Sequence, residues 1–473
     1  MPADLKTDVI ILGAGTAGTY ALREVRRAGL DFRLVDQGPL GTTCARVGCM
    51  PSKAALHAGA LWQTRQALHK LGVDAAGLAL DTAQAWAHVR AQRDDFAQAA
   101  ADNARRAAGK RLIMGRARFL EPTRIEVQAQ NGRQRLQARA VVIATGSRPV
   151  VPGFLWAVSD RVVTTDNIFD LEALPDAIAV LGLGAIGLEM GLALARLGLT
   201  VTGADLAPHV AGIADPELAR RARERFGREM GLWLDVNARV EPAAGGVRLL
   251  ADGRVFEAPL LLAALGRRPN VDALALAEAG FDVDDQGMPG FDPNTLQVGD
   301  LPVFIAGDVN ADRPLLHEAA DQGAIAGYNA AHMTPMHFAR KPSILIAFSN
   351  PDVISVGQPY DALEPDQVVT GTADGDSNGR TRILDATSSL LHVYADRRSG
   401  RLLGAAAVSA GGEHLAHLLA WAIKRGETAK SLLTMPFYHP TVEEMLQTAL
   451  QEIVRKTTTD TVDALPFGLE FME

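Results

Sequence analysis

Short apolar runs rich in β-branched residues punctuate the chain, and the first of them stops at a glycine cluster. Val9-Ile10-Ile11-Leu12 reads as a strand buried on both faces, because consecutive apolar residues leave no polar face for water. It runs into Gly13-Ala14-Gly15-Thr16-Ala17-Gly18 and a helical pattern ending near Gly29, and a second apolar run from Phe32 to Val35 closes on Asp36. A shift of 169 positions repeats this design as Ile178-Ala179-Val180-Leu181, Gly182-Leu183-Gly184-Ala185-Ile186-Gly187, a helix ending at Gly198 and a strand closing on Asp205. The first glycine and the aspartate are 23 residues apart in both copies, and Arg27/Arg196, Gly29/Gly198 and Leu30/Leu199 superpose without a gap. The pattern predicts an internally duplicated β-α-β unit.

A lone Gly-x-Gly-x-x-Gly is weak, since glycine turns before helices are common. Set between a strand and a helix, with an acid some 20 residues on, it marks a Rossmann-like dinucleotide site. The first glycine makes the tight turn, the second lets backbone N–H groups approach a pyrophosphate, and the third permits close helix–strand packing. The phosphates then sit at the positive end of the helix dipole, and Asp36 or Asp205 accepts from ribose hydroxyls. Two such sites predict two dinucleotides and an α/β fold with two Rossmann-like domains.

Elsewhere the pattern is less specific. The Ala-rich stretch from about 55 to 110, with Trp62, Ala67, Leu71, Trp86, Phe96 and Ala100, reads as long helices whose Arg-Arg and Asp-Asp pairs form solvated faces. Residues 363 to 380, rich in Asp, Gly, Thr and Ser, read as a loop or hairpin region. A length of 473 residues points to about three domains.

Composition narrows the function. With 48% hydrophobic and 22% charged residues, the chain is an ordinary globular protein. A net charge of -8 offers no basic footprint for nucleic acid or an anionic membrane. No apolar run approaches the roughly 18 residues of a membrane span, and the start Met1-Pro2-Ala3-Asp4 lacks the basic and apolar regions of a signal peptide. A cytoplasmic location is expected. Two cysteines cannot form a secreted disulfide framework in a chain of this size, which favours redox or catalytic use. Cys44 and Cys49 sit in Gly41-Thr42-Thr43-Cys44-Ala45-Arg46-Val47-Gly48-Cys49-Met50-Pro51-Ser52-Lys53, just after the first module. A thiolate is the attacking species in disulfide exchange, and Arg46 with a helix N-terminus would lower a thiol pKa. Taken alone, the spacing also fits two buried, unrelated cysteines.

This segment resembles the redox-active disulfide motif of the pyridine nucleotide-disulfide oxidoreductases, and the whole chain is similar to the dihydrolipoamide dehydrogenases of that family. The resemblance implies that Cys44 exchanges with substrate sulfurs and that Cys49 sits against a flavin. It implies FAD on the first module, because a disulfide needs a flavin to exchange hydride with nicotinamide, and NAD on the second. Val141-Val142-Ile143-Ala144-Thr145-Gly146-Ser147-Arg148-Pro149 and Leu261-Leu262-Ala263-Ala264-Leu265-Gly266-Arg267-Arg268-Pro269-Asn270 resemble the family's crossings between domains. Val303-Phe304-Ile305-Ala306-Gly307-Asp308 resembles its second FAD motif, followed by the flavin-side segment Pro314 to Ala320. The implied FAD set is Gly13, Gly15, Gly18, Asp36, Thr43, Lys53, Ala117, Thr145, Gly146, Asp308, Leu316 and His317. The implied NAD set is Gly182, Gly184, Gly187, Asp205, Val240 and Gly266. Lys53 and Glu189 match a pair beside the flavin, where a fixed cation stabilises negative charge on the reduced ring.

Tyr438-His439-Pro440-Thr441-Val442-Glu443-Glu444 resembles the family's C-terminal His-Pro-Thr motif. It implies His439 as the base for the substrate thiol and Glu444 as the carboxylate that orients it, a task suited to an imidazole titrating near neutrality. Thr441-x-x-Glu444 also reads as a capping box. In the family this dyad reaches the disulfide of the other subunit, which implies a homodimer. The implied division is 1–150 and 271–337 for FAD, 151–270 for NAD, and 338–473 as an α+β dimerisation domain. A lipoyl-bearing carrier or a small dithiol or disulfide would be the sulfur substrate.

Some positions depart from the family pattern. Thr42 stands where a second glycine is usual, Ala45-Arg46 replaces an apolar-Asn pair, and Phe437-Tyr438 stands where His-Ala usually precedes the catalytic histidine. These leave open an NAD(P)H-dependent reductase of another disulfide or oxidant, or a flavin-holding complex subunit. The tail Leu465 to Glu473 lacks the cysteine pair of mercuric reductases, and both motif cysteines are present, unlike in the soluble transhydrogenases. No metal site is expected.

Overall fold

The computed structural model describes residues 4–332 and 334–457. Residues Met1 to Ala3 and the cysteine-free tail Leu465 to Glu473 lie outside the described residues. Val9–Leu12 pairs in parallel with Phe32–Asp36 on one side and Ala140–Ile143 on the other. Val303–Ile305 continues the sheet beyond Ala140–Ile143, so a strand from late in the chain completes the first module. On the far side Leu112–Glu121 follows in parallel and then turns into antiparallel strands Arg124–Ala129 and Gly132–Gln137.

The second module is a parallel sheet in the order Gly231–Trp233, Thr200–Ala204, Ala177–Leu181, Leu260–Ala263, Val162–Val163. Its duplication reaches the level of register: Val9 lies opposite Phe32 as Ile178 lies opposite Val201, and Leu12 opposite Val35 as Leu181 opposite Ala204. The two crossing segments pair with each other, Ser147–Pro149 running antiparallel to Arg267–Pro269. A third unit is an antiparallel sheet in the order Ile344–Ala347, Asp352–Gly357, Leu402–Ser409, Leu390–Asp396, Val368–Asp374. Helices Gly412–Arg425 and Glu444–Thr457 bury apolar faces against it.

Within 363–380, expected to be a loop or hairpin region, Val368–Asp374 is a strand that pairs antiparallel with Leu390–Asp396, its residues alternating between half-buried and buried. Its small residues, read as turn formers, are packing requirements: a Cβ on Gly371 would lie 2.1 Å from the Ala449 carbonyl oxygen of the covering helix. The Ala-rich stretch is not helical throughout. Cys49–Gln63 and Thr82–Ala108 are α-helices, but Ala67 and Leu71 fall in a 3-10 segment that Gly72 ends at φ 78°, leaving Leu71 exposed. Asp94, Asp95, Arg105 and Arg106 are exposed.

Buried polar ties hold the units together. Arg196 gives hydrogen bonds to the Ser349 and Asn350 carbonyls at 2.6 and 3.2 Å and pairs with Glu229 at 2.7 Å. Asp215 accepts from the Tyr394 hydroxyl at 2.7 Å and lies 2.7 Å from His392 Nδ1. Both ties fix the second module against the antiparallel domain. No helix among the described residues is long and apolar enough to cross a membrane.

Candidate active site

The two glycine turns divide their labour identically. A Cβ on Gly13 would lie 2.2 Å from the Ala144 oxygen and one on Gly18 1.8 Å from the Gly13 oxygen. Gly182 and Gly187 meet the Ala264 oxygen at 2.4 Å and the Gly182 oxygen at 1.9 Å in the same way. Only the middle glycines, Gly15 and Gly184, would meet nothing within 4 Å, and each is the N-cap of the following helix. Protein thus fills the space at the outer glycines, while the middle one leaves open the side from which a pyrophosphate approaches. Asp36 accepts the Ala14 and Gly38 N–H groups at 2.7 and 2.6 Å, and Asp205 accepts those of Leu183 and Ala207. Each carboxylate is thereby pinned at its strand end with lone pairs left for a ribose.

Around the first turn lies a cavity of about 530 Å³, whose wall includes Gly13, Gly15, Asp36, Thr43, Ala117, Thr145 and Gly146. These residues fit an extended dinucleotide with its phosphates on the Gly15 amide side. Gly18, Lys53, Asp308, Leu316 and His317 are not on that wall. Asp308 reaches it through Ser147, whose hydroxyl donates to Asp308 at 3.0 Å, and Leu316 and His317 are exposed at the start of helix Leu316–His332. In the second module Val240 is half-buried opposite Leu249, and exposed Gly266 accepts the Val150 N–H at 3.0 Å.

Thr42 departs from glycine at φ 56°, ψ 148°, a region almost restricted to glycine and strained for a β-branched side chain. Its hydroxyl accepts the Ala45 N–H at 3.1 Å and so caps the short helix Thr43–Val47 that carries Cys44. Cys49 opens the next helix, and both cysteines are half-buried free thiols. A hydrogen bond from Cys44 lowers the Cys49 pKa to about 7 against the opposing effect of burial, with the Lys53 charge assisting. The same bond, burial and the Cys49 charge push the Cys44 thiol up. The two thiols share one hydrogen bond, and the Lys53 charge acts on the Cys49 side of it. Arg46, expected to help, is not among the leading influences on either thiol, and its stem packs on Gly41.

Lys53 is one helical turn beyond Cys49 and binds Glu189 of the second module at 2.7 and 2.9 Å. Glu189 is buried and also accepts the Phe348 N–H at 2.9 Å. His439 Nδ1 lies 3.0 Å from Glu444 Oε1, while Glu444 Oε2 accepts the Thr441 N–H at 2.9 Å. The dyad and half of the capping box thus coexist on one carboxylate. The other half, a Glu444 N–H bond to the Thr441 hydroxyl, is not formed, and that hydroxyl donates to the Tyr438 carbonyl at 2.8 Å. Burial would raise the Glu444 pKa, but the Thr441 N–H and His439 hold it below the usual range. An ionised Glu444 can accept from an Nδ1–H, an arrangement that would leave Nε2 free to take a proton. The His439 side chain is 76% exposed and stands in the antiparallel domain, whereas the cysteines belong to the first module.

Sequence reading assigned no role to Ser147, Arg267, Asn270 or Phe348. Arg267 donates to the Ser147 hydroxyl at 2.8 Å, and Asn270 and Thr145 exchange hydrogen bonds at 3.0 and 2.8 Å. The first three lie within the two crossing segments; the pairing of those segments is what gives them partners.

Two glycine-turn modules, a cysteine pair on helices beside the first and an appended antiparallel domain define a dinucleotide-dependent flavoprotein of disulfide chemistry. Residues 7–324 match the pyridine nucleotide-disulphide oxidoreductase family, and residues 344–450 match the dimerisation domain of that family. The chain belongs to the pyridine nucleotide-disulphide oxidoreductases, enzymes that use FAD with a nicotinamide nucleotide. It is 27% identical over 472 residues to dihydrolipoyl dehydrogenase 3 of Haloarcula marismortui, covering 95% of this chain and 97% of the relative. Dihydrolipoyl dehydrogenase of Staphylococcus aureus is 26% identical over 461 residues, with the same coverage. Among solved structures, LpdA from Mycobacterium tuberculosis superposes with a TM-score of 0.82 at 23% identity, covering 95% of this chain and 99% of that one. The Cu(II) complex of RclA, a HOCl-induced flavoprotein disulfide reductase from Escherichia coli, gives 0.82 at 20% identity, covering 94% and 99%. Both share the fold.

Proposed function

We propose that the protein is an FAD-dependent, NAD-linked dihydrolipoamide dehydrogenase, acting as a homodimer on a lipoyl-bearing carrier or free dihydrolipoamide. The observation that carries this reading is the hydrogen-bonded Cys44–Cys49 pair, with Lys53 and Glu189 beside it and a His439–Glu444 dyad whose imidazole is exposed. FAD, when bound along the first glycine turn, supplies the two-electron link between the cysteine pair and a nicotinamide on the second module. The chain's own part starts from the Cys44–Cys49 disulfide. His439 takes a proton from one substrate thiol, whose thiolate attacks the Cys44 sulfur and displaces Cys49 as a thiolate. His439 passes that first proton to solvent and takes the proton of the second substrate thiol, whose thiolate attacks the sulfur bonded to Cys44, releasing the oxidised substrate with Cys44 as the leaving thiolate. His439 returns a proton to Cys44, in accord with the raised pKa there, and the Lys53 charge keeps Cys49 ionised. His439 would reach the disulfide of the opposite subunit, which accounts for its exposure within one chain.

NAD rather than NADP is favoured by Asp205, which would repel a ribose 2′-phosphate. No arginine occurs among Leu206, Ala207, Pro208, His209, Val210 and Ala211 to clamp one. A second reading, NAD(P)H-driven reduction of another small disulfide or oxidant, is favoured by the strained Thr42 and the exposed Tyr438 at the motif departures. The deciding assay compares dihydrolipoamide with NAD+ against NAD(P)H with glutathione disulfide and other oxidants. High kcat/KM for dihydrolipoamide supports the first reading; negligible turnover there beside rapid reduction of another oxidant replaces it.

A further inference from the structure

Resting on the placement of Lys53 and Glu189 proposed above, we infer that Phe348, from the antiparallel domain, is a positioning residue of the redox centre. Its ring face and its backbone N–H together fix the Lys53–Glu189 pair beside Cys49. The Lys53 ammonium lies 4.8 Å from the centre of the Phe348 ring, and the Phe348 N–H donates to Glu189 Oε1 at 2.9 Å. One residue thus grips both members of the ion pair, the cation through the ring quadrupole and the anion through a charge-assisted hydrogen bond. The backbone that carries the ring is held in turn, because the carbonyls of Ser349 and Asn350 accept from buried Arg196. Glu189 and Arg196 lie two turns apart on helix Ala185–Arg196, so the loop after Ile344–Ala347 is fastened to that helix at two points along one face.

The consequence is electrostatic. The leading charged groups that bear on Cys49 are Lys53, which favours its thiolate, and Glu189, which disfavours it, with the Cys44 thiol as hydrogen-bond partner. The Lys53 side chain is 34% exposed, so a wall on one side decides how far water screens it. The Phe348 ring lies on one side of the ammonium, 4.8 Å from it at its centre. Without it the ammonium gains water and freedom, and Cys49 ionises at higher pH.

The test uses full-length protein carrying its FAD in a Cys44→Ser background, which keeps a hydroxyl donor at that position. Since the chain has two cysteines, Cys49 is then the sole thiol. The rate of alkylation by iodoacetamide is followed by intact mass across pH, and the midpoint is read from each profile normalised to its own plateau. Phe348→Leu should raise the midpoint by about half a pH unit, roughly a threefold loss of rate near neutrality, and Phe348→Tyr should restore it. Lys53→Met should raise it further. Phe348→Met is the replacement should the leucine variant lose its fold, and carries the same expectation. A midpoint moved by Lys53→Met but not by the apolar Phe348 variants overturns the role of Phe348 alone. A midpoint unmoved by Lys53→Met overturns the placement of Lys53 and, with it, this inference.

Discussion

Gly184 and Gly187 belong to one turn but should respond to a methyl group in opposite ways. On Gly187 a Cβ would lie 1.9 Å from the Gly182 oxygen and 2.9 Å from its carbon, main-chain atoms that cannot swing aside. Overpacking ordinarily costs about 1 to 3 kcal/mol, and an overlap this deep against backbone belongs at or above the top of that range. On Gly184 the methyl would meet nothing within 4 Å, and φ is -59°, open to any residue. Loss of a glycine N-cap there costs at most about 1 kcal/mol. Any further effect of Gly184→Ala must come from the nucleotide. Losing one hydrogen bond to a charged phosphate is worth about 1.5 to 3 kcal/mol, roughly a ten- to hundredfold rise in Kd. Thermal unfolding of the FAD-loaded variants, flavin content and NADH titration by calorimetry separate the cases. Gly184→Ala should keep its Tm within a few degrees and its full flavin content while binding NADH weakly; Gly187→Ala should unfold early. Equal Tm losses in both, or normal NADH affinity in Gly184→Ala, would refute the assignment of roles within the turn.

Four other outcomes are expected. Cys44→Ser and Cys49→Ser should each abolish disulfide turnover but retain FAD, since the cavity wall includes neither cysteine; near wild-type lipoamide activity in either would sink the chemistry. Mixing Cys44→Ser with His439→Ala subunits should recover activity through heterodimers with one complete site, and inactivity despite verified exchange counts against a shared site. At saturating dithiol, NAD+ should exceed NADP+ in kcat/KM by roughly tenfold to a hundredfold, the value of one charged pair, and parity would remove Asp205 from the ribose. Burial raises the Asp352 carboxyl to about 6 from 3.8. Its linked stability is therefore present below 3.8 and withdrawn as pH rises through about 6. Asp352→Asn should accordingly add roughly 2 to 3 kcal/mol at neutral pH and little near pH 4, as thermal melts at the two pH values would show; destabilisation at neutral pH would mean its bond to the Glu413 N–H matters more.

The linear sequence determined whatever depends on local repetition. Consecutive apolar residues ending at glycine marked the parallel strands, and the gapless repeat at a shift of 169 positions agrees with the equal register found in the two sheets, because the same pattern must bury the same way. The first and third glycines were legible for the same reason. Tertiary structure decided what depends on partners distant along the chain. The strand Val368–Asp374 was hidden because Gly and Thr signal turns locally, and the helix that makes them a packing surface comes some 70 residues later. Arg46 looked like the activating charge by proximity in sequence, but its stem packs on Gly41, and Lys53 acts on Cys49 from one helical turn away. Phe348 carried no local signal; only the docking of the antiparallel domain on helix Ala185–Arg196 brings it to Lys53 and Glu189. Periodicity specifies which face is buried, whereas electrostatics acts through space and is set only when separate elements meet.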